Sequence, residues 1–154
     1  MSTPVKLPFS IRQRLKVQHT ALEEMVKGLK ATHLTTEVIP GKWSIHVHLC
    51  HLGRYQEVFE DRMEQILKTS QPHLPRYKAE EDPLFLTWTQ KSWEMGLKDL
   101  KRKRRQLVDR LLPLSLEEQQ MEGVHPMLGA MTMIEWIEFF LLHEAHHLMA
   151  IFRI

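Results

Sequence analysis

The sequence predicts an all-α protein that folds as a four-helix bundle. Apolar residues recur at helical spacing along nearly the whole chain, and three sites carry a Ser or Thr followed three positions later by Glu or Gln, which is typical of helix N-termini. No stretch shows a convincing strand pattern. Because 154 residues suit one domain with a substantial core, we expect a single domain over residues 1–154.

Four long helices are predicted in order along the chain. The first covers about residues 11–30, and the second covers about residues 45–69 after the loop sequence THLTTEVIPGKW. The third covers about residues 86–112, and the last runs from Met133 to near the C-terminus. A short capped turn at residues 115–121 and the segment GVHPMLGAMT, interpreted as a break, separate these two. The capping pairs are Ser10 with Gln13, Ser115 with Glu118, and Thr132 with Glu135.

The segment SQPHLPRYKAEEDP separates the second and third helices and contains three prolines. It is long enough to act as a crossover that lets the third helix run in the same direction as the second. Residues alone leave both directions open at this point.

Composition and charge are those of an ordinary globular protein. Hydrophobic residues make up 43% and charged residues 26% of the chain, and the formal net charge is +2, so no class of partner is implied. The N-terminal region lacks the apolar run of a signal peptide, and no segment approaches the length of a membrane span. The single cysteine, Cys50, excludes an internal disulfide. We therefore expect a cytoplasmic protein with no membrane partner.

The last helix contains the motif H-E-x-x-H at His143, Glu144 and His147, which in zinc proteases combines two metal ligands with a catalytic glutamate. Such proteases take a third ligand from downstream of the motif. Only LMAIFRI follows His147, and it contains no His, Asp or Glu. We therefore reject the protease interpretation.

The spacing of these histidines still indicates half of a metal site. Residues four apart lie on one helix face, so His143 and His147 form a pair that a second helix could complete. The second helix offers candidates in SIHVHLCHL. At about 100° per residue, His48 lies closer to the centre of the apolar stripe and His51 lies nearer its rim, so periodicity slightly favours His48. Cys50 points farther from the stripe, which favours a structural thiol over a ligand.

Two segments resemble the DinB-like (YfiT-like) metal-binding four-helix bundles. WSIHVHLCHL is similar to the Trp-Ser pair of that family, which is followed by a histidine eight places after the tryptophan; counting from Trp43 gives His51. GVHPMLGAMTMIEWIEFFLLHEAHHL is similar to the second family segment. Its matching residues are His125, Pro126, Gly129, Thr132, Glu135, Trp136, His143 and His147.

The resemblance implies a DinB-like bundle whose second and third helices are parallel across the long crossover. It also implies one divalent metal ion, either zinc, nickel or iron, held by His51, His143 and His147 with a water in the remaining position. We choose His51 over His48 for a physical reason as well, because a ligand at the rim of the stripe leaves a coordination position open to substrate.

Several members of the family are similar in being thiol-dependent transferases, which implies a small electrophilic substrate and a low-molecular-weight thiol as partners. We also expect a homodimer. No catalytic side chain is assigned from the sequence. The alternative function is a non-catalytic ligand-binding or interaction bundle.

Other residues near the motifs have two interpretations each. Glu144, about 100° round the helix from His143, is interpreted as a surface or interhelical residue rather than a general base. His125 is interpreted as a loop anchor rather than a catalytic group. Tyr55, with Arg54, could face the site one turn after His51 or could serve core packing. His146 and His48 are candidates for packing beside the ligands.

The sequence KRKRR, residues 101–105, is the one run of like charge. Such a run can contact phosphates in nucleic acid. Acidic residues nearly balance the charge of the chain, and the run interrupts a bundle helix for little more than one turn. We therefore interpret it as a solvated helix face and expect no nucleic-acid partner.

Overall fold

A computed structural model gives the structure of the protein and describes residues 6–154. Within this range eight α-helices and one β-hairpin follow each other along the chain. The elements are α1 Phe9–Val17, α2 Ala21–Val26, α3 Ala31–Thr35, α4 Ile45–Lys68, α5 Pro83–Thr89, α6 Trp93–Leu111, α7 Leu116–Gln119, β1 Glu122–His125, β2 Gly129–Thr132 and α8 Met133–Phe152. The bundle consists of α1 with α2, α4, α6 and α8, which confirms the predicted four-helix bundle.

Helices α4 and α6 are parallel, as the resemblance implied. Leu49 of α4 lies against Gly96 of α6, and Gln56, two turns later, accepts a hydrogen bond from Arg104. Residue numbers therefore rise together along the two helices. The chain returns to the start of the bundle through residues 69–82, which form the predicted long crossover.

The first predicted helix is broken, and its predicted cap is wrong. The chain forms α1, a 3-10 turn at Gln18–Thr20 and α2, and it leaves the helix before Gly28, whose φ of 85° suits a helix C-terminus. The break turns Gln18 inward, where its amide donates to the carbonyl of Leu141 at 2.9 Å. Pro8 precedes the helix, and Ser10 lies inside it.

Two further boundaries differ from prediction. The loop after the first helix contains the short helix α3, and the third predicted helix consists of two helices, α5 and α6. Asp82 caps α5 by accepting from the amide of Leu84, with Pro83 in the first turn, and Ser92 caps α6 by accepting from the amide of Met95. Each cap starts a helix of its own, so one continuous apolar pattern is cut in two.

The segment interpreted as a break is an antiparallel hairpin, so the expectation of no strands was wrong. β1 pairs with β2 from Glu122 opposite Thr132 to His125 opposite Gly129. Each strand has only four residues and contains a glycine, which hides the alternation that identifies longer strands. Val124 also pairs with the crossover, because its amide donates to Pro72 and its carbonyl accepts from Leu74.

The core lies between the long helices and continues under the hairpin. Its largest fully buried side chains include Trp136, Phe140 and Phe59. Among the described residues, no helix has the length and apolar character needed to cross a bilayer.

Candidate metal centre

Two capped helices supply the histidines of the candidate site. Helix α4 starts at Ser44, whose hydroxyl accepts from the amide of Val47 at 3.2 Å. Helix α8 starts with the predicted capping box of Thr132 and Glu135. His51 of α4 faces His143 of α8. His147 lies one turn after His143 on the same face of α8, so the three histidines lie where the two helices face each other.

The structure brings together the three histidines predicted as ligands. The Nε2 atoms of His51 and His143 are 3.1 Å apart, and one ring nitrogen from each of His51, His143 and His147 lies within 4.8 Å of the others. Two nitrogens bound to a tetrahedral zinc at about 2.0 Å each would lie roughly 3.3 Å apart. The His51–His143 spacing is close to this value, and three imidazoles are a donor set that suits a divalent metal. The binding of metal itself stays a prediction.

Burial keeps these imidazoles neutral. Burial, with a smaller contribution from neighbouring histidines, lowers the pKa of His51 to about 4 and that of His143 to about 3. The pKa of His147 is lowered to about 2, again by burial first. A metal ligand must offer a free lone pair, so neutral rings at neutral pH are the form that binding requires.

His48, which periodicity slightly favoured, lies outside the converging group. Its Nδ1 atom is 3.0 Å from the Nδ1 atom of His147, within hydrogen-bond distance. This contact leaves the other ring nitrogen of His147 free. His48 therefore orients His147 instead of joining the three, as predicted for a neighbour of the ligands.

Aromatic rings hold the other two histidines. The ring of Tyr55 stacks on that of His143 with centroids 3.9 Å apart, and Tyr77 stacks on His51 at 5.8 Å. The Nδ1 atoms of His51 and His143 are buried and have no hydrogen-bond partner among the described residues. Packing therefore fixes these rings, and Tyr55 both faces the site and packs in the core.

The three histidines line a cavity of about 560 Å³, a volume within the range of small-molecule sites. Trp43 and Tyr77 form part of its wall, and Met127 and Leu128 at the tip of the hairpin cover one side. A small molecule that enters the cavity can therefore reach the histidines.

His125 anchors the hairpin tip, as predicted. Its Nδ1 atom accepts hydrogen bonds from the amides of Met127 and Leu128 at 3.0 and 3.1 Å. Burial lowers the pKa of His125, so the ring is neutral and carries its proton on Nε2. Gly129 follows with a φ of 76°, which closes the three-residue loop.

Glu144, the glutamate of the H-E-x-x-H motif, is an interhelical residue and not a surface residue. It is 1% exposed and forms an ion pair with Arg104, which is also 1% exposed. Gln18 donates to the second carboxylate oxygen at 3.0 Å. Both carboxylate oxygens are thus engaged by Arg104 and Gln18, which removes Glu144 as a general base.

The interpretation of residues 101–105 as a solvated face was wrong at one position. Arg104 points into the core, where it also donates to Gln56 and to the carbonyl of Leu15. Arg102 pairs with Asp99 and Lys101 pairs with Glu23, so these cations are partly neutralised. The absence of a nucleic-acid partner stays a prediction.

Three remaining candidates lie apart from the converging group. Cys50 is fully buried, donates to the carbonyl of Trp88 at 3.2 Å and has a pKa raised by burial to about 12, which fits a structural thiol. Arg54 pairs with Asp82 and Glu57. His146 is exposed and touches the site only through its ring contact with His147.

Two buried arginines were not predicted. Arg62 lines the cavity, and Arg104 lies in the core. A signal was present, because Arg62 stands three residues after Phe59 and four before Ile66, and Arg104 stands four after Leu100 and three before Leu107. A charged residue in the register of an apolar stripe predicts a buried charge.

Comparison with known proteins agrees with this fold. The family description of the DinB superfamily matches residues 14–151. YfiT from Bacillus subtilis, described as a probable metal-dependent hydrolase with an unusual four-helix bundle topology, is similar in structure with a TM-score of 0.75 and 17% identity over 90% of this chain and 80% of that chain. TT2238, described as a four-helix bundle protein, has a TM-score of 0.61 and 19% identity over 92% of this chain and 94% of that chain.

No curated protein matches the sequence significantly. The two structural neighbours show the fold. The match of the family description over most of the sequence shows that the chain belongs to the DinB superfamily.

Proposed function

We propose that His51, His143 and His147 bind one divalent metal ion, either zinc, nickel or iron, and that the loaded protein transfers a low-molecular-weight thiol to a small electrophile. The observation that carries this proposal is the convergence of three neutral imidazoles on a cavity of small-molecule size. The described YfiT, a probable metal-dependent hydrolase of the same fold, supports metal dependence.

The chain contributes binding and orientation. A metal in this position lowers the pKa of a thiol or water that occupies the coordination site left open by three protein ligands. His48 holds His147 through the Nδ1 contact, and Tyr55 holds His143 by stacking. Trp43 and Tyr77 pack against His51, so they restrict the position of its ring.

Two other functions use the same residues. If water instead of a thiol is the nucleophile, the protein is a hydrolase, which is the activity named for YfiT. If no reaction occurs, the cavity belongs to a ligand-binding bundle. The experiments below separate these outcomes.

Metal content is the first test. Protein purified without an affinity tag should carry metal, and His51→Ala, His143→Ala or His147→Ala should each sharply lower the metal per chain while circular dichroism shows retained helix. His48→Ala is the matched control on the same helix and should lower the content modestly or not at all, because His48 only contacts a ligand. Full retention in His51→Ala with loss in His48→Ala would contradict the assignment.

Turnover is the second test. The metal-loaded protein should accelerate conjugation of glutathione, bacillithiol or mycothiol to a chlorinated aromatic or an epoxide above the rate of the metal-free protein. Hydrolysis of the same electrophiles without a thiol identifies the hydrolase alternative. The absence of both reactions would favour the ligand-binding bundle.

We also propose a cytoplasmic homodimer. Support for a self-association surface comes from exposed apolar side chains along α8, namely Leu142, Met149 and Phe152. Sedimentation of the protein and of Met149→Glu should show a dimer that the substitution weakens. A monomer at high concentration would contradict the proposal.

A further inference from the structure

Arg62 is a buried cation in the wall of the cavity that the three histidines line. It is 6% exposed. Its guanidinium donates to the hydroxyl of Tyr55 at 2.9 Å and to the carbonyl of Pro75 at 3.0 Å. It also lies over the rings of Tyr55 and Trp136 at 5.7 and 5.4 Å. These contacts hold the group in place but none of them neutralises its charge.

A buried charge without a counter-charge is unusual, because removing an ion from water is costly unless another ion or several hydrogen bonds replace the water. Among residues 6–154, no carboxylate forms an ion pair with Arg62. A guanidinium has five N–H donors, and Arg62 uses two of them. The remaining donors of Arg62 have no hydrogen-bond partner among the described residues.

A second guanidinium lies on the same cavity. Arg76 is exposed, lines the cavity and forms no ion pair with another described residue. Its segment is held in place because Pro72 and Leu74, just before it, hydrogen-bond to the backbone of Val124. Arg76 is therefore presented to the cavity by a fixed stretch of chain.

The charge of the cavity wall is predominantly positive. Lys78 also lines it, and its ammonium reaches only the exposed Glu81 at 3.5 Å. Glu80 is the one acid among the described residues that line this cavity. Lys78 is compensated by Glu81, so the two arginines without an ion pair against one carboxylate favour an anionic occupant.

We propose that the cavity binds a small organic anion whose carboxylate or phosphate group pairs with Arg62, assisted by Arg76, while the rest of the molecule faces the three histidines. Guanidinium groups bind both kinds of oxyanion through paired hydrogen bonds. The anion is the substrate class of the proposed function, and to that extent the inference rests on that function. Binding of the anion itself requires only the arginines.

The test therefore uses metal-free protein. Calorimetric titration at low salt with succinate and with inorganic phosphate measures the two kinds of oxyanion, and succinamide is the uncharged control ligand. We expect one or both anions to bind and succinamide to bind at least about tenfold more weakly, because charged hydrogen bonds are lost. Preference between the two anions identifies the group that the substrate carries.

Variants locate the binding. Arg62→Met should weaken anion binding about tenfold or more, and Arg76→Gln should weaken it less, because Arg76 is exposed and screened. Arg105→Gln removes an exposed charge on α6, away from both arginines of the cavity, and should leave binding unchanged. If Arg62→Met fails to fold by circular dichroism, Arg62→Lys, which keeps the charge but loses the paired geometry, replaces it and should also weaken binding.

Three results would overturn the inference. They are no binding of either anion, equal binding of succinamide, or binding that survives the Arg62 substitution in folded protein. Metal content of the same preparations is measured separately. Anion binding without metal in the native protein would contradict the proposed function alone, whereas metal without anion binding would contradict the present inference alone.

Discussion

Two buried arginines of this bundle are held in opposite ways. Arg104 meets the carboxylate of Glu144, the amide oxygen of Gln56 and a backbone carbonyl, so its charge is neutralised inside a closed core. Arg62 meets a hydroxyl, a carbonyl and two ring faces, and its charge remains. Burial alone therefore does not define the role of a charged residue. A counter-charge identifies Arg104 as part of a core ion pair, whereas Arg62 has no counter-charge and is the group that we propose to bind an anion.

The largest effect should follow from Arg104→Met. The substitution leaves Glu144 buried without its cation, and breaking a buried pair in this way costs about 3–5 kcal/mol. Urea unfolding followed by circular dichroism measures the loss in free energy of unfolding. The double variant Arg104→Met with Glu144→Leu removes both charges and should recover most of that loss.

An equal loss in the double variant would contradict this explanation, because the stability would then come from the shape of the two side chains and not from their pairing. A double-mutant cycle with the single variant Glu144→Leu completes the measurement. The cycle also tests the role of Glu144 in the H-E-x-x-H motif, because it measures how much this residue contributes to the free energy of unfolding.

A smaller loss is expected from His125→Ala at the rim of the cavity. The substitution removes the acceptor for the amides of Met127 and Leu128, and two hydrogen bonds contribute roughly 1–3 kcal/mol together. The effect should be local, because the hairpin tip is exposed. Hydrogen exchange should accelerate at these two amides and remain slow in α6. Uniform acceleration throughout the chain would show that the tip is coupled to the closed core.

The smallest change in stability is expected from Arg62→Met, the same substitution as at Arg104. It removes an unneutralised buried charge, which offsets the loss of the donor to Tyr55 and Pro75, so the free energy of unfolding should change by less than about 1 kcal/mol. The same urea experiment measures it. A loss as large as that of Arg104→Met would show that Arg62, like Arg104, mainly stabilises the core.

Resemblance and periodicity predicted different parts of the molecule. We predicted the four helices, the crossover and the convergence of His51 with the α8 pair. Long amphipathic stripes and motifs in a fixed order can be recognised in a single sequence. The choice of His51 over His48 came from the motif count and from the need for an open rim. Helix geometry alone favoured the histidine that instead contacts His147.

The missed features depend on contacts between distant residues. The break before Gln18 is explained only by Leu141 and Glu144 on another helix. Arg104 stood within a run of basic residues whose composition suggested solvent, although its place between Leu100 and Leu107 indicated the core. The four-residue strands are stabilised through the crossover, which pairs with Val124 from fifty residues away in sequence.

Cys50 is fully buried, and this placement shields its thiol from electrophilic reagents. Its thiol is covered by α5, where it donates to the carbonyl of Trp88, and its raised pKa keeps it protonated, so reagents that alkylate thiolates cannot reach or attack it in the folded state. Because Cys50 is the single cysteine of the chain, the rate at which it becomes labelled reports how often α5 lifts from α4.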